Sequence, residues 1–572
     1  MTESEVIVVG AGPTGLALSL ALARYGVPSL VLDNGDGEVT ARAARTCVLR
    51  PDTAAWLPSA PGAAVPAARW TSWRARRRRQ TIHQKELDET TAPFHVEQHA
   101  LERALRAALA QEKLARVMPG SHLDILEQDA AGVTAHTRPR ARDGGDGHGG
   151  GTWWRGSYLV GCDGARSTVR KLLGVPFAGR TAVERHAVAA LRTRLPWESE
   201  ALLDRDLDGG MREVTARPLP GGVWRLDWLL PARGDLVTPE ALLDRVHSTL
   251  AHWNRESGAG SSGKGAAGGD PDAAASGPYE LLDTGVHTSH QRLARRWRVG
   301  RAFLAGDAAH LVGALGVQSV DEGLRDAANL AWKLALVWHE MGGVRGPHVD
   351  RDAVDVVLDS YESERRGAVG SRLRAVDQAL PLVRREGGGL RAILPGGGAR
   401  TPLELLTDGH LGQGLLGSPA AYRSSSLAPA RGTVDSVGVA TQPGELVRDV
   451  PVIALDGERG RLRERLCGNG GELLVVLVAP GTGVWDSRHW LSAGIMPELA
   501  AAVGALPLKA ELLVTEDYPG AAPHTVLVIR PDGHLVTALP APRIAQLRAC
   551  ADALRGGPFT RARSPASRDA RR

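Results

Sequence analysis

The first 33 residues switch between two patterns of apolar and polar positions. "EVIVV" (5–9) is an unbroken β-branched run, as in a parallel strand buried on both faces. "TGLALSLALARYG" has helical spacing and stops at Gly26, just ahead of Pro28. "SLVLD" returns to strand. A strand, turn and helix recur at "SYLVGCDGARSTVRKLLG" and again in "RAFLAGDAAHLVGALGVQSVDEG", which begins at Arg301.

Between these units, residues 98–115 read as a helix and "HLDILEQDAAGVTAHT" as two strands, with a polar Gly-rich hairpin tip at 138–151. Residues 185–230 alternate like antiparallel strands. Trp224, Leu226, Trp228 and Leu230 of "VWRLDWLL" share one face, expected to be core. The low-complexity stretch 257–278 predicts a loop or insertion. Helices are expected to about residue 395. Val317, Val320, Leu324, Ala327, Ala331 and Leu334 form the buried stripe of one of them, which opens with the capping-box pattern Ser319-x-x-Glu322. A Gly/Pro-rich connector follows at 396–449. Short strands and helices then run over 450–556, with a hairpin turning at Pro531-Asp532-Gly533, and a flexible tail covers 557–572.

Composition narrows the class. With 572 residues, 43% of them hydrophobic, the chain holds more than one core, so two to four domains are expected. The net charge of +5 is spread thinly over a chain of this size and comes almost entirely from arginine. "RWTSWRARRRRQ" (69–80) has the arginine and tryptophan of a nucleic-acid surface, but a solvated loop or strand edge is the expected reading, with no nucleic-acid partner. Cys47, Cys162, Cys467 and Cys550 are far apart and form no C-x-x-C. A disulfide framework, a structural metal and a redox dithiol are therefore not expected. No apolar run reaches the length of a membrane span, and "MTESEVIVVGAG" has no basic leader region. A cytoplasmic protein without a membrane partner is expected.

The candidate chemistry starts at Gly10-x-Gly12-x-x-Gly15, with Pro13 inside the motif. Gly10 permits the turn, Gly12 lets a pyrophosphate approach the backbone, and Gly15 lets the helix pack on the strand. Asp33 ends the second strand, where a carboxylate can bind ribose hydroxyls. The strand before the motif, the helix after it and the acid beyond favour dinucleotide binding over a plain Gly-rich turn.

Three further segments accompany that motif in order: "YLVGCDGARSTVR" with Asp163, "GRAFLAGDAAH" with Gly306 and Asp307, and the loop and helix after His310. Together they resemble the class A flavoprotein monooxygenases, the aromatic hydroxylases typified by p-hydroxybenzoate, phenol and polyketide hydroxylases. The resemblance covers roughly residues 4–180 and 285–375. It implies an α/β fold: a Rossmann-like FAD-binding domain of the glutathione-reductase type (1–180 and 285–395), with an inserted β-sheet substrate domain (68–97 and 181–284). The C-terminal part (450–556) resembles the thioredoxin-like domain of such hydroxylases, mainly through "VLVIRPDGHL", and implies packing or homodimer support.

By the same resemblance FAD is held non-covalently. Asp307 binds its ribityl chain, Asp163 lies near the pyrophosphate, Arg45 contacts phosphate, and Gln98 sits near the cofactor. Ala314, Gly316, Val317, Gln318, Val320 and Asp321 form the loop and helix start beside the flavin. The family pattern there has proline where this chain has Ala314 and asparagine where it has Asp321. Asp321 either faces the flavin or caps the helix.

Only one dinucleotide fingerprint is present, and the resemblance implies NADPH or NADH as a transient reductant; Arg42 and Arg45 favour NADPH. The resemblance implies a monooxygenase that uses molecular oxygen and a flavin C4a-hydroperoxide to hydroxylate an aromatic substrate, a polycyclic polyketide intermediate. No residue is identified as the substrate's base. Baeyer–Villiger insertion or another oxidative rearrangement remains open, as does a non-catalytic flavoprotein partner in a biosynthetic complex.

Overall fold

The structure, a computed structural model, describes residues 5–58, 64–139, 151–207, 213–231, 234, 237–256, 276–340, 350–384, 392–394, 397–468, 472–482 and 494–557. The expected hairpin tip, most of the 257–278 stretch and the tail lie outside the described residues.

Five parallel strands run in the order Ala302–Leu304, Thr152–Gly161, Glu5–Val9, Ser29–Leu32 and Ala115–Met118. Val6–Val9 and Leu30–Leu32 are buried on both faces, as their uninterrupted apolar runs require. The helix Pro13–Arg24 follows the first strand and packs against the long helix Ser319–Glu340. Their crossing is close because two glycines leave room for Thr14. A Cβ on Gly323 would lie 2.3 Å from Thr14 Oγ1, and one on Gly306 2.6 Å.

The long helix is buried well beyond its predicted apolar stripe. Its polar residues enter the core as ion pairs. Glu322 meets Arg325, Arg365 and Arg372, so it does not reach back to complete a capping box. Lys333 donates to Glu364 at 2.7 Å. Glu364 also receives Arg530 Nη1 and Nη2 at 2.7 and 2.9 Å, which seats the 530–533 hairpin turn against the helix. Burial opposes ionisation of Glu364, but Arg530 and Lys333 outweigh it and hold the carboxyl far below its usual range.

A second sheet has eight strands, ordered His310–Leu311, Tyr279–Ala294, Phe177–Thr193, Val223–Leu230, Glu213–Leu219, Glu200–Arg205, Ser72–Arg77 and Gln80–Glu86. It runs past the predicted limits of 181–284 at both ends. Trp224, Leu226, Trp228 and Leu230 pack with Leu242, Val246, Leu250 and Trp253 of the helix Pro239–Glu256, so that face is core. The arginine-rich run is a strand within this sheet. Trp70 and Trp73 are 1% and 0% exposed and cannot stack on bases, while Arg74 and Arg76 pair with Glu200 and Asp204.

The 396–449 connector contains two helices, Pro402–Leu411 and Gly414–Gly417. "TPLE" is a capping box: Thr401 Oγ1 accepts the Glu404 N–H at 3.2 Å, and Glu404 accepts the Thr401 N–H at 2.7 Å. The Gly/Pro content on either side masked that signal. Among the described residues no helix is long and apolar enough to cross a membrane, and no cluster of His, Cys, Asp and Glu could hold a metal.

Candidate functional site

The three glycines of the first turn do different work. Gly10 has φ +105°, and a Cβ there would lie 2.5 Å from the Cys162 carbonyl oxygen. A Cβ on Gly15 would lie 2.1 Å from the Gly10 oxygen. Packing therefore demands both. A Cβ on Gly12 would meet nothing within 4 Å. That open space lies at the N-terminus of the Pro13–Arg24 helix, where free N–H groups and the helix dipole favour an anion. Pro13 starts the helix without adding an unsatisfied donor.

Asp33 lies beside this turn and accepts the Ala11 N–H at 3.0 Å. Arg45 and Gln98, 53 positions apart, meet directly: Arg45 Nε donates to Gln98 Oε1 at 2.9 Å. Asp163 sits against Gly10, but its carboxylate accepts the Ser167 hydroxyl at 2.5 Å and the Thr168 and Val169 N–H groups at 2.6 and 3.0 Å. It thus caps the short helix Thr168–Leu172. Arg170, which sequence reasoning did not single out, donates to Ala308 O and Ala165 O, both at 2.8 Å. It ties this turn to the Gly306-Asp307 turn.

Gly306 adopts φ +59° in a single 3-10 turn at Gly306–Ala308. Asp326, from the long helix, accepts the Gly306 N–H at 2.9 Å, His310 Nε2 at 2.8 Å and Arg365 Nε at 2.8 Å. Asp307 remains exposed and accepts the Ser319 hydroxyl at 2.6 Å. In the following loop Leu315 and Gly316 take φ +54° and +85°. Ala314 and Val317 are buried, and Val320 packs against the core. Gln318 accepts the Val48 N–H at 3.4 Å and donates to Gly316 O at 3.1 Å.

Asp321 is 3% exposed. Its carboxylate accepts the Arg50 N–H at 3.1 Å and the Thr53 hydroxyl at 2.5 Å, with Arg50 Nε 3.4 Å away. It binds the 50–53 segment instead of its own helix terminus. Burial raises its carboxyl above the usual range, against the pull of Arg50 and Arg325.

The second sheet turns its polar face toward these loops. Arg225 Nη1 donates to Ala44 O at 2.8 Å and Thr46 Oγ1 at 2.9 Å. Leu315 N–H donates to Glu184 at 3.0 Å. Asp227 is paired with Arg217 and Arg225. Burial opposes its charge, but the two guanidinium groups prevail and hold its carboxyl far below the ordinary value. His186 and His287 lie on the same face. These residues were missed from sequence. The signal was present in "VWRLDWLL", where Arg225 and Asp227 alternate with the tryptophans. A surface cleft of about 1940 Å³, lined by Arg50, Asp52, Tyr422 and Arg448 among others, touches neither Gly12 nor Asp307.

A family model described as an FAD binding domain matches residues 3–250 and 272–375. The chain belongs to the FAD-binding-domain family. FAD is the cofactor of that family, and the open space at Gly12 fits it, with Asp33 and Asp307 following strands of the same sheet and Arg45 held by Gln98.

The chain is 32% identical over 376 residues to the rifampicin monooxygenase of Streptomyces venezuelae, covering 63% of this chain and 68% of that protein. It is 30% identical over 281 residues to the 3-(3-hydroxy-phenyl)propionate/3-hydroxycinnamic acid hydroxylase of Paraburkholderia xenovorans, covering 49% of this chain but only 38% of that enzyme. Its fold is that of aklavinone-11 hydroxylase, solved with FAD and aklavinone: TM-score 0.67, 22% identity, and 97% and 99% of the two chains covered.

Proposed function

We propose that the protein is an FAD-dependent, NAD(P)H-consuming monooxygenase that hydroxylates an aromatic substrate, a polycyclic polyketide intermediate. The observation that carries this reading is the open space at Gly12, on a helix N-terminus, in a chain whose polar sheet face binds the 42–46 and 313–316 loops. The curated hydroxylase and monooxygenase relatives support it.

Bound FAD would take reducing equivalents from the pyridine nucleotide and deliver an activated oxygen atom from molecular oxygen. The protein's own residues bind, orient and exclude water. Gly12 and the Pro13–Arg24 N-terminus would take the pyrophosphate, with Asp163 and Arg170 fixing the neighbouring turn. Asp33 would hold ribose hydroxyls and Asp307 the ribityl chain. Arg45, oriented by Gln98, would lie along the phosphates. Gly316, Val317 and Gln318 would offer backbone to the ring system.

The discontinuous cofactor unit (1–180 and 285–395), the inserted substrate unit (68–97 and 181–284) and the C-terminal unit (450–556) remain the proposed division. A thioredoxin-like arrangement of the last is supported by its strand order. Leu473–Val478 is parallel to Ala510–Thr515 and antiparallel to Val526–Ile529, which pairs antiparallel with Leu535–Leu539. Without C-x-x-C, that unit would act through packing.

Flavin content, then anaerobic reduction by NADPH and NADH with and without a panel of phenolic polyketides, tests the reading. Substrate-stimulated reduction is expected. A tightly flavinated protein whose reduction no phenol stimulates would instead be the non-catalytic partner. A ring-expanded product would favour Baeyer–Villiger chemistry, a second reading that Ala314 and Asp321 motivate by replacing the family's proline and asparagine.

A further inference from the structure

The polar face of the second sheet is organised in rows. His287 and His186 are direct partners across the antiparallel strands Tyr279–Ala294 and Phe177–Thr193. The next row on the same face holds Gly285, Val188, Asp227 and Thr215, and the one after it Asp283, Ala190, Arg225 and Arg217. Two loops are anchored at opposite ends of this face. The 42–46 segment is pinned at Asp283, which receives the Ala44 N–H at 3.0 Å, and at Arg225. The 313–316 loop is pinned at Glu184 through Leu315. The strand between those anchors, Glu184 to Ala190, spans about 20 Å at strand rise. The histidine row lies between them, so the distance between the two anchors is the length of several fused rings.

The charges on this face are already balanced among the described residues. Arg217 and Arg225 share Asp227. Arg384 bridges Glu184 and Glu213, and Arg205 also reaches Glu213. Arg42 pairs with Asp283. Three carboxylates in the interior (Glu184, Glu213, Asp227) thus answer three guanidinium groups (Arg217, Arg225, Arg384). Among the described residues a ligand carboxylate would find no cation on this face that is not already paired, and would face those three acids.

The histidines are different. Among the described residues neither His186 nor His287 has a hydrogen-bond partner for its ring, and His287 is open to the space in front of the sheet. Burial lowers His186, and the protein packed around His287 together with Arg225 lowers that ring as well, so both are neutral near pH 7. A neutral imidazole offers one donor and one acceptor. That matches a phenol hydroxyl beside a quinone or ketone oxygen.

We propose that His186 and His287 hold the oxygen substituents of an uncharged, hydroxylated polycyclic aromatic, and that the charge-balanced face selects it over a carboxylate-bearing phenol. This rests on the reading above that the site takes an aromatic substrate. It separates this chain from its relative named for a phenylpropionate, whose substrate carries a carboxylate.

The test titrates the FAD-loaded full chain with 1,8-dihydroxyanthraquinone and with its 3-carboxylate, following the flavin absorption spectrum. The neutral probe is expected to bind at least about tenfold more tightly. His186→Phe and His287→Phe should each weaken it by about tenfold, the scale of a lost buried hydrogen bond. His186→Gln and His287→Gln, which keep hydrogen-bonding capacity, should restore most of that loss; they also decide the matter if a Phe variant fails to retain FAD. Equal or tighter binding of the carboxylate, failure of the neutral probe to bind, or Phe variants with full flavin and unchanged affinity would overturn the proposal. If the neutral probe binds as predicted but neither it nor any phenol of the panel stimulates NAD(P)H oxidation, the monooxygenase reading falls and this one stands. If carboxylated phenols bind best and stimulate oxidation, the reverse holds.

Discussion

The Asp326 carboxylate accepts the Gly306 N–H at 2.9 Å from a helix position 20 residues further along the chain. That bond, with His310 and Arg365 on the same carboxylate, fixes the turn from which Asp307 projects. Asp326→Ala removes the acceptor and leaves Arg365 with one buried carboxylate partner, Glu322, in place of two. A stability loss of about 3 kcal/mol is expected, together with weaker FAD retention. Urea denaturation and flavin titration measure the two effects. Unchanged flavin affinity would show that the turn does not depend on this bond.

The glycines of the first turn should separate by phenotype. Gly15→Ala places a methyl 2.1 Å from a backbone oxygen and should impair folding. Gly12→Val places its side chain in open space, so the protein should fold with unchanged thermal stability in the absence of flavin, yet purify largely colourless. A Gly12→Val protein with full FAD occupancy would remove the pyrophosphate from this position.

Asp321 bears on the oxidation chemistry only if its charge reaches the flavin. Its oxygens are engaged by Arg50 and Thr53. Asp321→Asn is therefore expected to change the FAD reduction potential by less than about 10 mV, which is under half a kcal/mol for a two-electron couple, while lowering stability by about 1 kcal/mol. Potentiometry decides: a markedly higher potential in the variant would place the carboxylate against the flavin.

Much of the candidate cofactor site was legible because its residues are local. Gly10, Gly12, Gly15 and Asp33 lie in one strand–helix–strand unit, and Asp307 ends a strand whose apolar run announces it. Arg45 and Gln98 were placed by resemblance, and the structure brings them into contact. What local pattern could not show is where buried charges find partners. Asp321 reads as a helix-start acid, yet its partners are 271 and 268 positions away. The histidine row needs strand register, because His186 and His287 are separated by a helix and a low-complexity stretch. The Pro402–Leu411 helix was obscured by the glycines around it, although its capping box is local.

Stability should fall on mild acidification. His95 Nδ1 donates to Pro218 O at 2.7 Å, and its Nε2 lies 2.8 Å from Thr46 Oγ1, a hydroxyl that already accepts from Arg225. Burial and nearby Arg217 keep His95 and His410 well below the ordinary histidine value. The unfolded chain then binds more protons than the native one below about pH 6.5. Stability is full above that pH and falls as pH drops, by up to about 1.4 kcal/mol per pH unit per histidine. Urea midpoints at pH 7.5, 6 and 5 should decline, and His95→Gln should flatten the slope. A midpoint that stays level would mean these rings protonate in place.

The central claim is that oxygen activated at a bound FAD enters an aromatic substrate. The direct measurement is turnover of a neutral phenolic polyketide with NADPH under oxygen-18 gas, with the product examined by mass spectrometry. The account predicts one oxygen-18 atom in a new ring hydroxyl for each reduced nucleotide consumed by coupled turnover. A product carrying oxygen from water, or nucleotide oxidation that ends only in hydrogen peroxide with every substrate tried, would contradict it.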